Sequence, residues 1–168
     1  MKNNFNFFFF ILIFVFNSIS CYSDEIKFEA KEINITNDGN FINATGDAKV
    51  NINTTTKVTS DKLTYDKIKS ILTVIGNVEI IDEANKLKIK GNRFTYYKLD
   101  KKIIGNEQSL IIFDEKYFIK TRKINYYLEN KIVTSDFLTN ITDIYNNTFT
   151  FNKFKFLISK KLFKGENL

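Results

Sequence analysis

The sequence predicts an all-β protein made of stacked antiparallel hairpins that repeat about every thirty residues. Three observations predict it. Through most of the chain apolar residues alternate with polar ones at a period of two, the spacing that puts them on one face of a strand. A six-residue pattern recurs five times, beginning at Ala30, Ser60, Gly91, Thr121 and Phe151. Helical periodicity is absent beyond the N-terminal segment, and the chain holds no proline to interrupt a strand.

That N-terminal segment reads MKNNFNFFFFILIFVFNSISCYSDE, one lysine and then an apolar run from Phe5 to Phe16 broken only by Asn6. The run is shorter than the ~20 residues that span a bilayer. Small residues follow at Ser18, Ser20 and Ser23, so residues 1–23 have the layout of a secretory signal peptide cleaved near Ser20 or Ser23. A lipoprotein signal ending at Cys21 and an uncleaved anchor lengthened through Ile19 are the two other readings. All three export the remaining domain, residues 24–168. Removal of Lys2 takes one unit from the formal net charge of +6.

The five recurring segments are Ala30-Lys-Glu-Ile-Asn-Ile35, Ser60-Asp-Lys-Leu-Thr-Tyr65, Gly91-Asn-Arg-Phe-Thr-Tyr96, Thr121-Arg-Lys-Ile-Asn-Tyr126 and Phe151-Asn-Lys-Phe-Lys-Phe156. Their fourth and sixth positions are always aliphatic or aromatic, and the position between is always polar. A polar turn follows each, as in NDGN at 37–40, DKIKS at 66–70 and LENK at 128–131. A second alternating strand then returns, with Ile42, Ala44, Ala48 and Val50 on one face in the first unit and Leu72, Val74, Val78 and Ile80 in the second. Gly46, Gly76, Gly105 and Gly165 fall near the same place in these return strands, with Ser135 once instead. A glycine there marks a bulge or sharp bend. One hairpin is marginal in water, so the units must stack.

Composition removes most catalytic chemistry. The chain has no histidine and a single cysteine, so it offers no imidazole base, no Ser-His-Asp triad, no internal disulfide and no thiolate zinc cluster. Acidic residues are scattered through turns and solvent faces with no pair standing out. The expected reading is a non-enzyme with no cofactor and no metal. Nucleic acid is not an expected partner either, because the basic residues are dispersed among acids with no aromatic-basic motif.

At TSDKLTYDKIKSILTVIGNVEIID the pattern resembles the OstA-like N-terminal domain family, which occurs in the lipopolysaccharide transport protein LptA and at the N-terminus of the outer-membrane assembly protein LptD. Ser60, Asp61, Lys62, Leu63, Tyr65, Leu72, Val74, Gly76 and Val78 match the family signature position by position. The copies at 30–50, 91–105, 121–137 and 151–165 match by spacing more than by letters, with Gly91-Asn92 and Thr121-Arg122 replacing the usual small-acidic pair. The resemblance covers residues 26–168. It implies an open β-jellyroll, or β-taco, of two antiparallel sheets folded face to face, and a periplasmic role in lipopolysaccharide transport with acyl chains held inside. Each methylene moved into such a groove contributes about 0.8 kcal/mol, so no specific polar contact is needed.

On that reading the groove is lined by Ile33, Ile35, Ile42, Ala44, Val50, Leu63, Tyr65, Leu72, Val74, Val78, Ile80, Phe94, Tyr96, Ile124 and Tyr126. Lys62, Lys86, Lys88 and Lys123 are candidates for groove rims, where they would meet lipid A phosphates. The family also joins other transport components, or copies of itself, through unpaired edge strands. The fifth unit stops soon after Gly165, so Phe151–Ser159 is the expected free edge, and the short last strand suits either a small transport protein or a fragment of a larger one. The competing reading is an exported structural or adhesive β-repeat protein with a filled core.

Overall fold

The computed structural model describes residues 26–166, and the expected signal segment lies outside them. Among the described residues there are thirteen strands and one single-turn 3-10 helix. The strands are β1 (Lys27–Glu29), β2 (Glu32–Thr36), β3 (Phe41–Asn51), β4 (Thr56–Asp66), β5 (Ile71–Asp82), β6 (Leu87–Tyr97) and β7 (Lys102–Phe113). They continue with β8 (Tyr117–Tyr127), β9 (Ile132–Ser135), β10 (Thr139–Asp143), β11 (Thr148–Phe151), β12 (Lys153–Leu157) and β13 (Leu162–Glu166). Every pairing is antiparallel and joins neighbours along the folded ribbon. The all-β expectation holds.

The strands are longer than the repeat suggested. Each six-residue segment is only the second half of a strand that starts earlier, at Thr56, Leu87 and Tyr117 for the three central units. In β4 the buried side chains are Thr56, Val58 and Ser60, then Leu63 and Tyr65. The inward parity slips by one residue between Ser60 and Leu63, which hides the continuity from a strict period-two reading.

That slip is a bulge, and it recurs at the same level in neighbouring strands. Register shifts fall between Thr45 and Ala48 on β3, between Ile75 and Val78 on β5, and between Gly105 and Gln108 on β7. Gly46 and Gly76 adopt φ of +77° and +81° there, with Asp47 and Asn77 also left-handed. A bulge bends its strand, so the aligned bulges crease the ribbon along one line. On one side, here sheet I, lie β2, β9, β12, β13 and the segments 41–45, 62–66, 71–75, 93–97, 102–105 and 124–127. On the other, sheet II, lie β1, β10, β11 and the segments 48–51, 56–60, 78–82, 87–91, 108–113 and 117–122. β8 shows the division plainly, pairing with β9 through Asn125–Tyr127 and with β10 through Tyr117–Lys120.

The two inner faces pack on each other. Phe28 of sheet II stacks 5.6 Å from Tyr65 of sheet I, and Phe113 meets Phe156 edge-on at 4.7 Å. Along the crease small hydroxyl side chains take inward positions, and Ser60, Ser109, Thr121, Ser135 and Thr139 are buried there. Their hydroxyls satisfy backbone and one another. Ser60 Oγ donates to the Lys62 carbonyl at 3.1 Å, Ser135 Oγ to the Arg122 carbonyl at 2.8 Å, and Thr139 Oγ1 to Thr121 Oγ1 at 2.9 Å. Next to them lie Leu63, Phe94 and Ile124, and two glycines make room for the largest, Phe94. A Cβ on Gly91 would lie 2.8 Å from the Phe94 ring, and one on Gly105 would lie 2.5 Å away.

The structure overturns one expectation at the chain end. Phe151–Ser159 is not a free edge, because β12 is paired on both sides, with β9 through Phe154↔Ser135 and with β13 through Phe154↔Gly165. The chain turns at residues 158–161 and completes one more half-strand, so β13 is the terminal edge of sheet I and β11 that of sheet II.

The glycine cradle around Phe94 makes a direct test. Gly105→Ala should cost about 1–3 kcal/mol by overpacking, read from urea denaturation. Adding Phe94→Leu should recover part of that loss, since the two substitutions share one contact.

Candidate functional site

The candidate site is the space between the sheets, and its lining follows from strand alternation. Of the fifteen positions expected inside, Ile42, Ala44, Val50, Leu63, Tyr65, Leu72, Val74, Val78, Ile80, Phe94, Tyr96, Ile124 and Tyr126 are all buried. They join Val58, Leu87, Ile89, Ile103, Ile111, Phe113, Ile119, Val133, Ile141 and Phe156 in one continuous apolar cluster. The halves of β4, β6 and β8 that lie before the repeated segment supply Val58, Leu87, Ile89 and Ile119, and these were missed because the repeat was read from its second half alone.

Ile33 and Ile35 differ. They sit opposite Ala44 and Ile42 in the β2–β3 pairing and so share the inner face. Yet they are 43% and 58% exposed, because among the described residues β2 is the last strand of sheet I and none packs over it. Of the expected lining, these two share the inner face without being enclosed, so among the described residues the apolar lining runs out at this end onto an edge.

Elsewhere the interior is full. Between Ile52, Val58, Leu72, Ile80, Phe94 and Ile103 the remaining space is about 10 Å³, no more than the ~10–15 Å³ that one water requires. The rims of the two sheets touch at both ends and in the middle, the Phe28–Tyr65 pair lying at the N-terminal end. Near the C-terminal end Tyr117 of sheet II meets Phe163 of sheet I edge-on at 5.2 Å, beside the Phe113–Phe156 contact.

In the middle a polar clasp joins them. Asp82 closes β5 at the rim of sheet II and is 3% exposed. It accepts a hydrogen bond from the Tyr126 hydroxyl at 2.5 Å, across the mouth from sheet I, and from Asn85 Nδ2 at 2.7 Å and Asn85 N at 3.1 Å. Burial, then the hydrogen bond and charge of Asp82, push the Tyr126 phenol well above its ordinary value. A buried tyrosine needs such a partner, and here the partner ties one sheet to the other. Among the described residues no cluster of three or more metal-ligating side chains occurs.

The lysines expected at the rims are mostly elsewhere. Lys62 and Lys123 stand at the crease, next to the bulges. Lys88 is on the outer face of sheet II, 3.3 Å from Glu79. Only Lys86 is in a rim turn, and it pairs with Asp114 at 3.0 Å. Sequence spacing alone could not separate crease from rim, since both lie at ends of alternating segments.

Comparison with known proteins places the fold. The crystal structure of LptH, the LptA homologous periplasmic component of the conserved lipopolysaccharide transport device from Pseudomonas aeruginosa, is similar at a TM-score of 0.56. The two chains are 21% identical, over 66% of this chain and 80% of that one. The open β-jellyroll implied by the family resemblance is the fold they share. No family model and no curated protein matches the chain.

The clasp generates a pH prediction. Tyr126 ionises less readily folded than unfolded, so its contribution is fully present below the ordinary tyrosine pKa of about 10 and is lost as pH rises beyond it. Unfolding free energy should fall above that pH, and Tyr126→Phe should flatten the fall. At neutral pH Tyr126→Phe should cost about 1.5–3 kcal/mol, the worth of a hydrogen bond to a charged group. Denaturant titrations across pH would check both.

Proposed function

We propose that this protein is a periplasmic carrier for an acylated amphiphile of the lipopolysaccharide class, exported by its N-terminal signal and holding acyl chains between its two sheets. The observation that carries this reading is the apolar interior, which continues from strand to strand between β3 and β12 with buried polar groups at the crease, in the clasp and at Thr56 opposite Asp82. Such a lining suits a ligand that slides along it, because each buried methylene gains about the same ~0.8 kcal/mol wherever it sits. Loading requires the sheets to part, since side chains fill the middle of the interior. The exposed Ile33 and Ile35 offer the first apolar contact at the open end. The likeness in fold to LptH supports the same class of cargo.

The fullness of the interior favours a second reading, an exported structural or adhesive β-repeat protein. A photo-crosslinking residue placed between the sheets discriminates. At Val74 or Ile80, which face inward, it should capture lipopolysaccharide in cells, whereas at Thr73 or Glu79, which face outward on the same strand, it should not. Equal labelling of the two sets, or none at either, would favour the filled structural repeat.

The free edges complete the proposal. β2 and β13 end sheet I, and β1 and β11 end sheet II, with unpaired backbone groups that another transport component or a second copy can extend. Cysteines at Asn34 on β2 and Lys164 on β13 should therefore form an intermolecular disulfide when both variants are mixed under oxidising conditions, with Cys21 replaced. A purely monomeric product would remove head-to-tail pairing.

A further inference from the structure

The two rims of the mouth are chemically unlike. The rim of sheet I consists of five turns, at residues 37–40, 67–70, 98–101, 128–131 and 158–161, stacked side by side. Consecutive turns are tied by backbone hydrogen bonds. Lys67 N donates to Asn40 O at 2.9 Å, and Lys98 N to Ser70 O, Leu128 N to Lys101 O and Ile158 N to Lys131 O follow at 3.0 Å each. The rim is thus one continuous strip, with successive turns two strands or about 10 Å apart.

These turns carry Lys67, Lys69, Lys98, Lys101, Lys131, Lys160 and Lys161 against only Asp38, Asp100 and Glu129. Lys69 pairs with Asp66 and Lys101 with Glu129, both at 3.3 Å; both lysines are well exposed, so their ammonium groups exchange partners at little cost. At the centre of the strip two large apolar side chains point into solvent, Ile68 at 78% exposure between Lys67 and Lys69, and Leu99 at 82% exposure in the run Lys98-Leu99-Asp100-Lys101.

The rim of sheet II has no such combination. Its turns at 83–86 and 114–116 hold Glu83, Asp114 and Glu115 beside Lys86 and Lys116, and both lysines pair with Asp114. Its one exposed apolar tip, Ile144-Tyr145, sits on a turn without lysine, wrapped by the Asp143 carboxylate.

We propose that the sheet I rim is a docking edge for an anionic phospholipid bilayer: the lysine row meets headgroup phosphates while Ile68 and Leu99 enter the interface beneath them. Apolar tips flanked by cations are the combination that binds an anionic surface, the charge drawing the protein in and the buried apolar area holding it. A lysine row alone is an ordinary solvated face, and two apolar tips alone are scattered surface residues. Their coincidence on one hydrogen-bonded strip, absent from the opposite rim, argues for the bilayer. The inference goes beyond lipid carriage, since a rim can rest on a membrane whether or not the interior opens.

The test uses the full chain with Cys21→Ser and the environment-sensitive fluorophore NBD on Leu99→Cys. Vesicles of equal parts phosphatidylglycerol and phosphatidylcholine should shift its emission to the blue with a several-fold rise in intensity. Pure phosphatidylcholine vesicles should leave it unchanged. The same probe on Tyr145→Cys, equally exposed but on the opposite rim, should not respond, which separates rim docking from attachment through the apolar N-terminus. Reversing Lys67, Lys131 and Lys160 to glutamate should abolish the Leu99 response while the circular dichroism spectrum is retained. Silence at Leu99, equal responses at Leu99 and Tyr145, an equal response to uncharged vesicles, or indifference to charge reversal would each overturn the proposal. Failure to capture lipid between the sheets would leave this result untouched.

Discussion

Everything in this molecule depends on the crease. A ribbon of eleven- and twelve-residue strands would form one flat sheet with an apolar face open to water. A one-residue register slip, repeated at the same level in successive pairs, bends the whole ribbon instead and closes that face on itself. The slip also explains the local chemistry. Left-handed backbone at Gly46 and Gly76 turns the strands. Hydroxyl side chains at Ser60, Ser109, Thr121, Ser135 and Thr139 take inward positions there and satisfy the polar groups exposed by the irregularity.

Folding at a crease gives the interior one fixed side and one separable side. At the crease the two sheets are covalently continuous through six long strands. At the mouth they meet through side chains: the Phe28–Tyr65 pair, an aromatic cluster around Phe113, Tyr117, Phe156 and Phe163, and the bond from Tyr126 to Asp82. Parting the mouth exposes apolar surface and one buried carboxylate, whereas parting the crease would break strands. A site that must open for a ligand can therefore open in one direction only. The filled interior and a lipid-carrying role are compatible on this geometry, because an acyl chain replaces the contacts that the rims surrender.

The stacked design also leaves asymmetric ends. Each long strand has neighbours on both sides, while β2 has β3 alone and every one of its residues is exposed. Apolar side chains on such an edge are normally blunted by charge. Here Glu32 and Asn34 face away while Ile33 and Ile35 continue the inner lining. The far end is treated differently, since β13 carries Lys164 and Glu166 and a Lys153–Glu166 ion pair at 3.0 Å.

The sequence by itself determined the strands, their inward faces and the bend. Period-two alternation is a local property of the pleated backbone, so Leu72, Val74, Val78 and Ile80 could be assigned to one face without knowing their neighbours. Gly46 and Gly76 marked the crease for the same reason, because left-handed backbone leaves a trace in residue type. Tertiary structure alone decided what covers each face. Ile33 carries the same letter as Ile124, yet one is exposed and the other is fully buried, because the first lies on the last strand and the second in the middle of the stack. The clasp between Asp82 and Tyr126 joins residues 44 positions apart, and no local pattern encodes a contact that exists only once two sheets have been brought face to face.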